Sequence, residues 1–204
     1  MRLIAVALTG LLAGALCLPA SAQDRANPAD VETFYEGMFK NAKEEWKKKT
    51  VQDETQKVCS QYRNDLPKAE FDKVLAREKG NVKMPADGNV MGDWKAGEKI
   101  AQSGFGGRFN DKPGTINGGN CYACHQLSKK ELSFGTLAPS LLEYGKIRKF
   151  DAKEATAAYA KIYNAQSVQP CSNMPRFGHS GFLSEQQIKD LVALLFDKDS
   201  PVNK

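Results

Sequence analysis

Apolar residues recur at helical spacing along most of this chain, and nowhere do they alternate with polar ones for long enough to suggest a strand. The run VETFYEGMFKNAKEEWKKK sets Tyr35, Met38, Phe39, Ala42 and Trp46 on one face and predicts a first helix, with Glu44 and Lys48 paired on its outer side. DETQKVCSQYR gathers Thr55, Val58, Cys59 and Tyr62 on one side of a second, and LPKAEFDKVLAREKG predicts a third that opens near Pro67 and stops at Gly80. The period is then lost in GNVKMPADGN, which glycine and proline mark as a boundary between a helical extension over 23–89 and a second domain over 90–204. Within that domain GDWKAGEKIAQS sets Trp94, Gly97 and either Ile100 or Ala101 on one face, where the glycine would let another helix cross closely. Asp151 with Glu154 forms a capping box ahead of DAKEATAAYAKIYNA. The last helix has Ser184 as its cap, Gln187 reaching back, Leu183 against Ile188, and Leu191, Val192 and Leu195 as its buried stripe, with Pro201 ending it. The expected fold is all-α.

One apolar run does not fit a globular helix. Met1 and Arg2 lead into LIAVALTGLLAGALCLPASA, which closes in Ala20-Ser21-Ala22, the pattern of a secretory signal peptide over 1–22 cut between Ala22 and Gln23. The apolar core is short for a span of about 20 residues and has no basic stop-transfer flank. Lipid attachment at Cys17 is the weaker alternative, since Leu16 stands where a small residue is wanted. An exported, periplasmic protein follows, with no membrane span in its mature form. Cleavage leaves a chain long enough for one cored domain with an appendage. The net charge of +5 loses only Arg2 and is spread over scattered lysines, which suits an acidic protein partner and gives no concentrated patch for nucleic acid.

Export also changes the meaning of the five cysteines. Cys17 leaves with the signal, Cys121 and Cys124 sit together, and Cys59 and Cys171 remain as an even pair that favours a disulfide in an oxidising compartment. Residues 118–127 read GGNCYACHQL. On a helix, Cys121 and Cys124 would face the same side, so both thiols could add to the two vinyl groups of one haem edge while His125 ligates the iron. Zinc would need about four ligands, usually from a second close pair, and Cys59 and Cys171 stand alone. A thioredoxin-like pair would follow a strand in a βαβ unit, whereas NDKPGTINGG precedes this motif. Tyr122 and Ala123 are spacers.

The opposite face of the iron needs its own ligand. After His125 the mature chain offers His179 and the methionines Met38, Met84, Met91 and Met174. Met174 lies in CSNMPRFGHSGF, between two helices, where Pro175 keeps the preceding residue extended, so a loop can carry its thioether across the haem. Met174 is taken as the distal ligand, with His179 as the alternative. Arg176 is a candidate partner for a haem propionate. Phe105, Phe109 and Tyr144 could wall the haem pocket or belong to the core.

The CxxCH motif, LAPSL after it, the Met-Pro loop and the final amphipathic helix resemble the class I cytochromes c. More narrowly, CSNMPRFGHSGFLSEQQIKDLVALLFDKDSPVN is similar to the C-terminal signature of the SoxX family, the mono-haem subunits of the SoxAX cytochromes of bacterial sulfur oxidation. The resemblance covers about residues 90–204, and the helical extension looks like that of the longer members. It implies a class I cytochrome c fold with one covalent haem c, Cys121 and Cys124 as thioethers, and His125 and Met174 as axial ligands. It also implies a heterodimer with a SoxA-like haem subunit, a transient sulfur carrier protein and a downstream electron acceptor. The complex is an L-cysteine S-thiosulfotransferase that couples thiosulfate to a carrier cysteine and releases two electrons; this chain would move electrons, carry no catalytic residue and be inactive alone. A free periplasmic shuttle to an oxidase, or a ligand-binding haem protein with an open sixth site, are the alternatives. The GFGGRFNDKPGTINGG insertion over 104–119 departs from ordinary cytochromes c.

Overall fold

The computed structural model describes residues 27–204, so the expected signal segment lies outside the described residues. The described residues form two units, one ending at Thr50 and the other spanning Val51–Lys204. In the first, the Asn27 side chain caps α1 (Pro28–Met38) by accepting from the Ala29 amide at 3.1 Å, and α2 (Glu44–Thr50) follows after a turn. The single helix expected through Trp46 is therefore two. Gly37 and Asn41 are weak helix positions, the Phe39 amide makes a last bond to Tyr35, and the Ala42 amide turns back to Phe39. On α2 Glu44 pairs with Lys47 at 2.8 Å, one residue short of the expected Lys48.

In the second unit α8 (Glu185–Phe196) is the central element. Its start is the expected capping box: Ser184 Oγ accepts from the Gln187 amide at 3.2 Å, and the Gln187 side chain accepts from the Ser184 amide at 3.0 Å. Burial exceeds the expected stripe. Every residue from Ile188 to Phe196 is buried, because α5 (Trp94–Gln102), α6 (Tyr144–Ile147) and α7 (Ala152–Tyr163) all pack on this helix. Two of those residues are charged and both have partners, as buried charges must. Asp190 accepts from the Asp93 amide at 2.9 Å and from Gln186 at 2.8 Å, while Lys189 pairs with Asp87 at 3.3 Å and Glu185 at 3.4 Å.

The crossing of α5 and α8 sits at Gly97, where a Cβ would lie 2.1 Å from the Asp190 carbonyl oxygen. The close approach expected at this glycine is thus present, and Ile100 and Ala101 are both buried beside it. Asp151 caps α7, accepting from the Lys153 and Glu154 amides at 2.8 and 3.1 Å. The return half of the expected box is absent, because the Glu154 carboxylate pairs instead with Arg148 at 3.3 Å. Pro201 does not itself stop α8, which ends at Phe196; it opens a 3-10 turn, Pro201–Asn203. There the Asn203 side chain donates to the carbonyls of Leu195 and Asp197 at 3.1 and 2.8 Å and accepts from the Gly145 amide at 3.0 Å, satisfying orphan groups of two helix ends at once.

α3 (Glu54–Gln61) and α4 (Lys68–Gly80), expected within an extension ending at residue 89, lie in the same unit as residues 90–204. Thr55 and Cys59 on α3 are buried, as the sequence pattern predicts, and α4 packs on a 3-10 turn, Ala165–Ser167, that follows α7. No strand occurs among the described residues.

Candidate functional site

The chain enters the CxxCH motif along residues 100–105. The Gly118, Gly119 and Asn120 amides donate to the carbonyls of Phe105, Ile100 and Ser103 at 2.8, 2.8 and 2.9 Å, which closes the 104–119 insertion at its neck. Asn120 is left-handed, with φ 47°, a conformation asparagine tolerates. The expected helix is a single 3-10 turn, Cys121–Ala123, and the Cys121 carbonyl accepts from both the Cys124 and His125 amides, at 3.1 and 2.9 Å.

His125 Nδ1 lies 2.7 Å from the Pro139 carbonyl oxygen. A carbonyl only accepts, so Nδ1 holds the proton and donates, and Nε2 keeps its lone pair for a metal. Pro139 is itself fixed. The Ala138 amide donates to the Cys124 carbonyl at 3.0 Å, the Leu141 amide to Gln126 at 2.8 Å and the Gly135 amide to Tyr122 at 2.7 Å, so LAPSL and the segment before it are stitched to the motif. Gly135 is required for this, since a Cβ there would meet the Ala123 carbonyl oxygen at 1.8 Å.

The Cys121 thiol is buried and its proton is held tightly. Burial, with a smaller push from Cys124, raises the Cys121 thiol to about 12 against an opposing backbone hydrogen bond, so Cys121 is not the activated thiolate of a CxxC redox centre. Tyr122 between them is buried in the core, its hydroxyl pushed up to about 12 by burial and by Glu98 and Glu131. Among the described residues no three His, Cys, Asp or Glu side chains converge as a structural zinc site requires.

Met174 is partly buried and packs, like Cys121, against the main hydrophobic cluster. Its loop is pinned on both sides. Before it, Cys171 is joined by a disulfide to Cys59 on α3, 112 residues earlier, with the Cα atoms 5.4 Å apart. After it, Arg176 Nη2 donates to Asp53 Oδ2 at 2.5 Å, and Nη1 lies 3.5 Å from Glu78 Oε2. Downstream, the Gly178 and His179 amides both donate to the Tyr163 carbonyl at 3.0 Å. Glu78 is 1% exposed and accepts from Thr55 Oγ1 at 2.5 Å and Asn164 Nδ2 at 2.7 Å. Burial alone would raise its pKa, but the hydrogen bonds from Thr55 and Asn164 and the charges of Arg176 and His179 outweigh it and hold the carboxyl below its ordinary value. Asp53 is likewise lowered: burial is overcome by the Gln56 amide, Arg176 and His179.

Arg176, expected beside a propionate, is thus placed against α3 and α4, with one donor, the buried Nη1, left without a hydrogen-bond partner. His179 is exposed, its charge felt by those two carboxylates. Tyr144 belongs to the core, edge-on to Phe196 at 5.5 Å, whereas Phe105 and Phe109 are exposed on the 104–119 loop. Sequence reasoning missed the Pro139 carbonyl and the Asp53, Glu78 and Asn164 group. The Ala-Pro step just after the motif was the available signal for the first; nothing local marks the second.

A cytochrome c family model matches residues 109–196. The chain is also 37% identical over 194 residues to an "uncharacterized lipoprotein" of Aquifex aeolicus (strain VF5), a match covering 92% of each chain. The chain belongs to the family of that relative, and it is an all-α protein of the class I cytochrome c fold with an N-terminal helical extension.

Proposed function

We propose that this chain is an exported electron-transfer subunit that holds one covalent haem c and serves a SoxAX-type complex, in which thiosulfate is coupled to a cysteine of a carrier protein. Haem c supplies a one-electron couple. Cys121 and Cys124 would hold it by thioether bonds, with His125 through Nε2 and Met174 as the iron ligands. The observation that carries this reading is the 2.7 Å bond from His125 Nδ1 to Pro139, which fixes tautomer and ring orientation as an outer partner of a metal-bound histidine does.

With His125 and Met174 both on the iron there would be no open position for a substrate, and among the described residues the cysteines outside the motif are joined to each other and offer no free thiol for sulfur transfer. The chain therefore moves electrons while a SoxA-like partner subunit performs the chemistry. The similarity of residues 171–203 to the SoxX signature supports that partner. The apolar N-terminal run and a relative named as a lipoprotein support export. Cleavage after Ala22 releases the chain into the periplasm, and a lipid on Cys17 would tether it there; the intact mass of the mature N-terminus separates the two. The functional test is thiosulfate-dependent reduction of the haem with and without the partner and carrier. Reduction only in the full mixture is expected. Equal rates for the isolated chain would overturn the subunit reading in favour of an independent redox protein, and no reduction in any mixture would favour a free shuttle.

A further inference from the structure

We infer that Arg176 and Glu78 are positioning residues for the distal ligand, holding the Met174 loop from the side opposite the disulfide; this rests on Met174 being that ligand. Only Pro175, with its fixed φ, separates Met174 from Arg176, so a shift of one is passed to the other. The Arg176 side chain is 11% exposed, and its guanidinium reaches two helices: Asp53, the N-cap of α3, at 2.5 Å, and Glu78 near the end of α4, at 3.5 Å. Glu78 is in turn fixed. Thr55 of α3 and Asn164 at the end of α7 both donate to it, and Thr55 is held by Arg77 at 3.0 Å.

A buried carboxylate is tolerated only when paired and hydrogen-bonded, so removing Arg176 strands Glu78 and removing Glu78 strands the guanidinium. Cys59 lies on the same α3 whose N-cap holds Arg176. The loop is therefore clamped at 171 by a covalent bond and at 176 by an ionic one, both on α3, with Met174 between. A ligand held on both sides loses little freedom on binding iron, whereas a loop freed on one side competes less well with a ligand from solution.

The test uses the full, haem-containing mature protein and its Arg176→Gln, Glu78→Gln and Asp53→Asn variants, with Arg176→Lys as the conservative replacement. Two signals are read: the sulfur-to-iron charge-transfer band of the oxidised form, and the affinity for added imidazole, which must displace the distal ligand. Arg176→Gln should weaken the band and bind imidazole on the order of tenfold more tightly, the weight of one charge-assisted contact, with haem content unchanged and Arg176→Lys intermediate. Should Glu78→Gln not fold, Arg176→Gln and Asp53→Asn decide the matter. Folded variants of both with unaltered band and imidazole affinity would overturn the inference. A protein that lacks the band before any substitution, and whose Met174→Ala variant binds imidazole no better, would instead remove Met174 as the ligand, and the inference with it.

Discussion

Replacing Cys59 and Cys171 together by alanine should remove a large share of the stability of the second unit. The bond joins residues 112 apart, and the chain-entropy model gives about 4.8 kcal/mol at 25 °C for closing a loop of that length. Cys171 sits in a left-handed conformation, φ 57°, which costs any residue with a Cβ; alanine carries the same cost, so the term cancels between the two proteins. Residual structure in the unfolded chain lowers the entropy gain, and the Arg176 clamp keeps the loop near α3 in the variant. The expected loss is roughly 3–5 kcal/mol, or a fall in Tm of roughly 6–20 °C for a chain of this size. Guanidinium unfolding of both oxidised proteins, followed by far-UV ellipticity, measures it. A loss below about 1 kcal/mol would refute the tether as a source of stability, and two reactive thiols in the denatured, unreduced protein would refute the bond itself.

Met174→Ala should abolish the sulfur-to-iron charge-transfer band while leaving haem attached; a surviving band would pass the ligand role to another methionine, Met91 first, and a band missing from the native protein would make His179 the next residue to test. Glu78 and Asp53 are held below their ordinary 4.5 and 3.8, so each contributes stability that is complete above that unfolded value and is lost as pH falls through the lower folded one. Unfolding free energy should therefore decline below about pH 4.5, less steeply in Glu78→Gln, and identical slopes would contradict the network. Gly97→Ala should destabilise by about 1–3 kcal/mol of overpacking even though alanine favours the helix by about 1, because its Cβ would meet the Asp190 carbonyl oxygen at 2.1 Å. Unfolding curves that coincide would show the crossing to be loose.

Much of what the chain announced locally it kept, the return half of the Asp151–Glu154 box and the Glu44–Lys48 pair excepted. The Ser184–Gln187 box, the α4 start at Pro67, the buried face of Thr55 and Cys59 and the close crossing at Gly97 each depend on residues a turn or two apart, or on one missing side chain. The cysteine pairing was legible by counting. Other failures were decided by distant segments. Glu78 looks like one more charge on a solvated helix and becomes buried only because Asn164 and Arg176 arrive from much later in the chain. Arg176, read beside Met174, suggested a propionate, while Asp53 and Glu78 claim most of its guanidinium. The apolar repeat from Tyr35 to Trp46 hid a break, because periodicity does not register the weakness of Gly37 and Asn41.

The most direct measurement of the central claim is the intact mass of the purified, exported protein after acid-acetone treatment, which strips haem that is only coordinated. The account predicts a polypeptide that keeps one haem, and a Cys121→Ser, Cys124→Ser variant that keeps none. A chain that gives up its haem to the solvent, or that never carried one, would contradict it.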